Sequence, residues 1–177
     1  MLGEESERYI TLLLGVRDNP IPSMWHLQKE MFIASRSVPK ISEIFGFEKH
    51  YHGPYSQTLQ EVTEDPLHLD NAYKVRRDGA VSITQSGKAY FNKIVDQHKG
   101  NERFASLLQA LKLTRNVYDK LGREELLFLI YMTYPDYAYA SNIYDGLVGN
   151  RENRARLANS LFSKGLVTEE RYNELRN

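Results

Sequence analysis

Few side chains in this 177-residue chain are of a type and spacing that could do chemistry. His50 and His52, two apart, would share one face of a strand, and with His68, Glu48 or Asp70 they offer donors suited to a metal ion. The patterns that usually accompany such a site are missing: there is no HExxH, no histidine pair at helical i, i+4 spacing and no cysteine. The simpler expectation is that one histidine packs beside Gly53-Pro54 and the other is solvated. Ser56 follows Gly53-Pro54-Tyr55, whereas a nucleophile elbow needs Gly-x-Ser-x-Gly. No phosphate loop and no glycine-rich dinucleotide fingerprint occurs either. The expectation is a protein that is not an enzyme and holds neither metal nor cofactor.

Cations are the other chemical resource, and their placement matters more than their sum. The formal net charge is zero, yet residues 1–70 carry a balance of −5, residues 71–100 one of +4 and residues 101–177 one of +1. Lys74, Arg76 and Arg77, with Lys88 and Lys93 downstream, form the one basic block. Three or four of them reaching phosphates would give a log–log salt slope of roughly −3 to −4 on duplex DNA. A solvated surface is the alternative.

These cations sit on a recognisable run of elements. Residues 73–95 read YKVRRDGAVSITQSGKAYFNKIV, two alternating stretches joined by Asp78-Gly79, which predicts a tight type I′ hairpin. Thr84 then caps a helix carrying Tyr90, Phe91, Ile94 and Val95 on one face. Upstream, residues 4–17 read as a helix with Glu4, Glu5 and Glu7 at its positive end, and Asn19-Pro20-Ile21-Pro22 as a turn. Ser23 caps a second helix to about Arg36, and Lys40 to Phe45 makes a short turn after Pro39. Gly53-Pro54 is expected to open a third helix through Thr63 with Pro54 in its first turn. Helix, helix, helix, hairpin, helix is the grammar of a winged helix-turn-helix. The third helix takes the recognition position, so Ser56 would touch phosphate and Gln57 and Gln60 base edges, although Glu61, Glu64 and Asp65 would face the polyanion.

Beyond Lys99-Gly100-Asn101 the pattern is helical throughout. Glu102 to about Leu121 carries Phe104, Leu107, Leu108, Leu111 and Val117 at packing intervals, with Gly122 as its C-cap. Glu124 to Tyr134 is apolar nearly all round until Pro135 stops it. Tyr131, Tyr134, Tyr137, Tyr139 and Tyr144 suit core edges, a dimer or partner interface, or nucleotide stacking. Arg151 to Leu175 reads as a helical hairpin, broken at Gly165 and recapped at Thr168. The fold class is therefore mainly α with a small β-hairpin wing: a winged-helix domain over residues 1–99 and a C-terminal helical subdomain over 100–177. With 41% apolar and 26% charged residues the chain fits a soluble globular protein. Its longest apolar run, Leu126 to Met132, is far short of the roughly twenty residues of a membrane span, and no leader pattern opens the chain, so a cytoplasmic location is expected.

Leu27-Gln28-Lys29-Glu30-Met31-Phe32, Phe45-Gly46-Phe47, Tyr51-His52-Gly53-Pro54-Tyr55-Ser56, Ile83-Thr84-Gln85-Ser86-Gly87, Ile130-Tyr131 and Tyr134-Pro135 follow one another in an order that resembles the YwgA-type winged-helix proteins of bacteria and archaea. More remotely, the Leu-Gln-Lys and Gly-Pro signatures resemble the Panacea domain, the antitoxin half of many toxin–antitoxin pairs. The resemblance spans about residues 5–140 and supplies no catalytic residues. Tyr55-Ser56 after Gly-Pro follows the YwgA type, where Panacea domains usually carry a small aliphatic residue. The resemblance bears on fold more than on function; the residues themselves point either to a homodimer that binds double-stranded DNA through Lys74, Arg76, Arg77, Lys88, Ser56, Gln57 and Gln60, or to a module that holds a protein partner through its tyrosine-rich stretch.

Overall fold

The computed structural model describes residues 2–177, which fall into two compact units, residues 2–47 with Ser56–Asp119, and Glu48–Tyr55 with Lys120–Asn177. The first unit begins with α1 (Leu2–Gly15), whose Ile10, Leu12, Leu13 and Leu14 are buried. Ser23 accepts from the His26 amide to cap α2 (Met24–Ser37), and Val38-Pro39 breaks the chain into α3 (Pro39–Phe45). Gly46 ends α3 at φ 56°, a left-handed conformation that favours glycine. After a hairpin that belongs to the second unit, Ser56 caps α4 (Gln57–Glu64).

Strands β3 (Tyr73–Val75) and β4 (Val81–Ile83) pair antiparallel with Lys74 opposite Ser82. Ile21, between α1 and α2, adds a third strand position: it exchanges two backbone hydrogen bonds of 2.9 Å with Val81. Thr84 then caps α5 (Gln85–Gln97), and Asn101 caps α6 (Glu102–Tyr118). The first turn of α5 lies so close to the strands that a Cβ on Gly87 would stand 1.9 Å from the Ala72 carbonyl oxygen. The core of this unit gathers Leu27 and Met31 of α2, Leu59 of α4, Val81 of β4, Ile94 of α5 and Leu111 of α6.

The second unit contains β1 (Glu48–His50) paired with β2 (Gly53–Tyr55), then α7 (Arg123–Thr133), a 3-10 turn (Pro135–Tyr137), a π-helical turn (Asp145–Gly149), α8 (Arg151–Ser163) and α9 (Glu169–Arg176). The β1–β2 hairpin packs on α7 and the 3-10 turn. Glu125 ties α7 to α8: its carboxylate accepts from the Gly122 amide at 2.8 Å, from Ser160 at 2.5 Å and from the Lys164 ammonium at 2.7 Å. Leu157, Leu161 and Leu175 close the core between α8 and α9. Among the described residues, no helix is long and apolar enough to cross a membrane.

The first compact unit runs on to Asp119, and α6 contributes Phe104 and Leu111 to its core. Three sequence expectations are corrected. Pro54 lies in β2, and α4 starts only at Gln57. Gly122 precedes α7 as its N-cap; it does not follow α6 as a C-cap. The Asp78-Gly79 turn is not type I′, since Gly79 at φ 83° has positive φ and Asp78 does not. Instead the Gly79 amide donates to the Arg76 carbonyl at 2.9 Å and the Arg76 amide to the Ala80 carbonyl at 2.8 Å, the pattern of a turn closed by a left-handed glycine.

Candidate nucleic-acid interface

The β3–β4 hairpin is held from below and open above. Tyr73 is buried and donates its hydroxyl to the Val62 carbonyl at 3.0 Å, anchoring the hairpin to α4. Alternation along β3 then turns Lys74 outward, and the turn that follows exposes Arg76 and Arg77. The approach to the hairpin is fixed by Glu7 of α1, which is buried and accepts from three successive amides, Leu67 at 2.7 Å, His68 at 2.9 Å and Leu69 at 2.5 Å. Such a run of amides is an anion cradle that the protein fills with its own carboxylate.

The four cations are not equivalent. Arg76 pairs with Asp78 at 2.9 Å, and Lys88 with Asp18 at 3.1 Å. Both pairs are solvent-exposed and worth at most about 1 kcal/mol, so a phosphate can displace either acid. Lys74 and Arg77 have no acidic partner among the described residues. Lys74, Val75, Arg76, Arg77 and Asp78 line a shallow depression of about 460 Å³. The hairpin thus offers two free cations and a third in exchange with an acid.

The α4 residues behave differently from expectation. Ser56 is fully buried: its hydroxyl donates to the Phe45 carbonyl at 2.5 Å and accepts from the Leu59 amide at 3.0 Å, so it is withdrawn from any phosphate. Gln57 and Gln60 are solvent-accessible, but each amide donates to an acid one turn on, Gln57 to Glu61 at 2.8 Å and Gln60 to Glu64. Reading a base edge would cost both those bonds and place two carboxylates against the phosphate backbone.

The tyrosines separate as well. Tyr131 is buried, donates to the Ser141 hydroxyl at 2.7 Å and packs against Tyr144, as a core residue of the second unit does. Tyr134, Tyr137 and Tyr144 are half-buried, and Tyr139 is 83% exposed. His50 packs its ring on Tyr55 at 5.1 Å, while His52 lies beyond the end of β1 in the turn, so the two do not share a strand face. His68 gives its amide to Glu7. Among the described residues, no three histidine, aspartate or glutamate side chains converge as metal ligands would.

Sequence reading missed two constellations. Gln28 makes a double clasp on the backbone of Ser56, donating to its carbonyl and accepting from its amide, both at 2.8 Å. Arg115, fully buried, donates to both oxygens of Asp119 at 2.7 and 3.0 Å and to the Leu13 and Asn19 carbonyls at 2.9 and 2.5 Å, with Glu30 beside it at 3.5 Å. Burial pushes the Glu30 carboxyl well above its ordinary range, Asp119 pushes the same way, and Arg115 and Arg17 oppose them. Neither Glu30 oxygen has a hydrogen-bond partner among the described residues, an environment that favours the uncharged, protonated carboxyl. The signal in the sequence was Gln28-Lys29-Glu30, three consecutive polar residues set between Leu27 and the apolar run Met31-Phe32-Ile33-Ala34, and all three are buried. No family model and no curated protein matches this chain.

Proposed function

We propose that this chain is a non-enzymatic, regulatory winged-helix protein that binds duplex DNA through the β3–β4 hairpin. Support comes from one observation above all: Lys74 and Arg77 stand exposed, with no acidic partner among the described residues, on a hairpin whose base is anchored by Tyr73 and by the Ile21 pairing. The order of elements, with Ile21 as a strand position between α1 and α2 and the hairpin after α4, supports the winged-helix reading. Contact is to phosphates, and α4 plays little part in reading sequence, because its amides are taken and its outer face is acidic.

The test is a fluorescence-anisotropy titration of labelled duplex DNA at about 50 mM and 200 mM salt. With two or three phosphates neutralised the expected log–log slope is roughly −2 to −3, and Lys74→Glu with Arg77→Glu abolishes binding on every sequence tried. Binding that survives the double reversal would refute the hairpin as the contact.

A second reading is favoured by the acidic outer face of α4 and by Tyr139: a module that holds a protein partner, in an antitoxin-like or assembly role. It expects Tyr139→Ser to change oligomeric state or partner capture while leaving DNA affinity unaltered. Sedimentation of the variant distinguishes the two readings.

A further inference from the structure

We propose that the cavity between α1 and the start of α6 is a binding site for a small organic carboxylate with an apolar body of about ten non-hydrogen atoms. The cavity has a volume of about 270 Å³. Its walls divide by chemistry. Leu12, Phe104 and Leu107 supply apolar surface, and Arg8, Tyr9 and Arg103 supply polar heads. Among the described residues the Arg103 guanidinium and the Tyr9 hydroxyl have no hydrogen-bond or ion-pair partner.

Arg8 is aimed by a fixed acceptor. The His98 ring stacks on Phe104 with centroids 4.5 Å apart, and its Nδ1–H donates to the Ile94 carbonyl at 2.9 Å. That leaves Nε2 as an acceptor for Arg8 Nη2 at 3.4 Å, a long bond that a ligand carboxylate can replace with a shorter, charge-assisted one. Glu5 also lines the cavity, and Lys40, 3.9 Å from its carboxylate and 3.5 Å from that of Glu43, is shared between the two acids and offsets the Glu5 charge only in part. Two arginines against one partly neutralised acid favour an anion. Bare inorganic anions would leave the apolar wall uncovered, and it is this wall that calls for an organic body. A neighbouring cavity of about 380 Å³ shares His98, Asn101 and Phe104, so a longer apolar tail has space to continue.

The experiment is an amide-resolved NMR titration of the full chain with 3-phenylpropionate, compared with 3-phenylpropan-1-ol and inorganic phosphate. Saturable shifts confined to residues around Arg8–Leu12 and His98–Leu107 are expected, with a Kd of about 0.1–1 mM for a ligand of this size. The alcohol binds at least about tenfold more weakly, and so does the acid to Arg103→Ala, a substitution at an exposed position. Tyr9→Phe removes a hydroxyl with no partner among the described residues, so it weakens the ligand a few-fold and leaves unfolding unchanged. No saturable shift below about 10 mM, equal binding of acid and alcohol, or indifference to Arg103→Ala would overturn the proposal. Phosphate binding as tightly at the same amides would overturn it too, by reducing the site to an unselective anion contact.

Discussion

Gln28 shows what a single side chain does in this molecule. Its amide completes both backbone groups of Ser56, and Ser56 in turn caps α4 and bonds Phe45, so one glutamine fixes where α4 begins relative to α3. Replacing it with alanine strands the buried Ser56 amide, while the Ser56 carbonyl keeps its bond from the Gln60 amide at 3.2 Å. Gln28→Ala is therefore expected to lose roughly 1–3 kcal/mol in urea denaturation, the cost of one buried donor left unpaired. A loss under about 1 kcal/mol would mean that water replaces the clasp. Gly87 is a second such point. The position is buried with a carbonyl 1.9 Å from where a Cβ would go, so Gly87→Ala must displace either α5 or Ala72 and is expected to cost about 2 kcal/mol or more. The candidate site was only half legible at this scale. Lys74 and Arg77 could be placed on a hairpin from alternation alone, because cations at outward positions of a strand need no partner to be explained. Ser56 could not: a hydroxyl after Gly-Pro looks the same whether it faces solvent or caps a helix from inside, and the decision rests on Gln28, twenty-eight residues away.

At the scale of elements, two carboxyl groups hold helices together with opposite pH dependence. Glu30 on α2 has a raised pKa, so the folded state holds a proton there that the unfolded chain, with its ordinary value of 4.5, releases. Its stabilisation is complete below the unfolded value and is lost as pH rises through the folded one. Glu125 on α7 is the reverse. Burial pushes its pKa up, but bonds from Lys164, Ser160 and Gly122 outweigh burial and hold the carboxyl below 4.5, so its contribution is present at neutral pH and lost as pH falls through the folded value. Glu30→Gln mimics the protonated group. It is expected to match wild type near pH 5 and to exceed it at pH 8 by about 1–3 kcal/mol, the scale of relieving a buried unsatisfied polar group. Equal stability at both pH values would show that the buried carboxyl is ionised and satisfied. Element boundaries were legible where their signals are local. Ser23, Thr84 and Thr168 each accept from an amide three residues on, and Gly165 ends its helix at φ 67°, as residue type alone suggested. The β1–β2 hairpin was not legible, because Gly53-Pro54 suits a helix entrance equally well and only pairing of Lys49 with Pro54 and of His50 with Gly53 makes it a strand.

For the whole molecule, the chain does not divide into units in sequence order. Residues 48–55 leave the first unit and complete the second, where β1 and β2 pack on the 3-10 turn and α7, and where Gly53 and Pro54 are buried. Helices α7, α8 and α9 follow one another within the C-terminal segment, yet a surface of this unit is supplied from seventy residues upstream. Closing so long a loop is entropically costly but grows only slowly with length, so the burial of a short hairpin can offset it. Exchange of residues 48–55 for a flexible Gly-Ser segment of equal length therefore separates two descriptions of the C-terminal part. If the hairpin is a structural member, amides of α7, including those of the Tyr131 region, lose hydrogen-exchange protection by about tenfold or more, while α1 and α2 keep theirs. If protection in residues 123–176 is unchanged, the C-terminal helices fold by themselves and the hairpin is an appendage. The first outcome is expected, because α7 is buried on most of its sides and the α8–α9 pair covers only part of it.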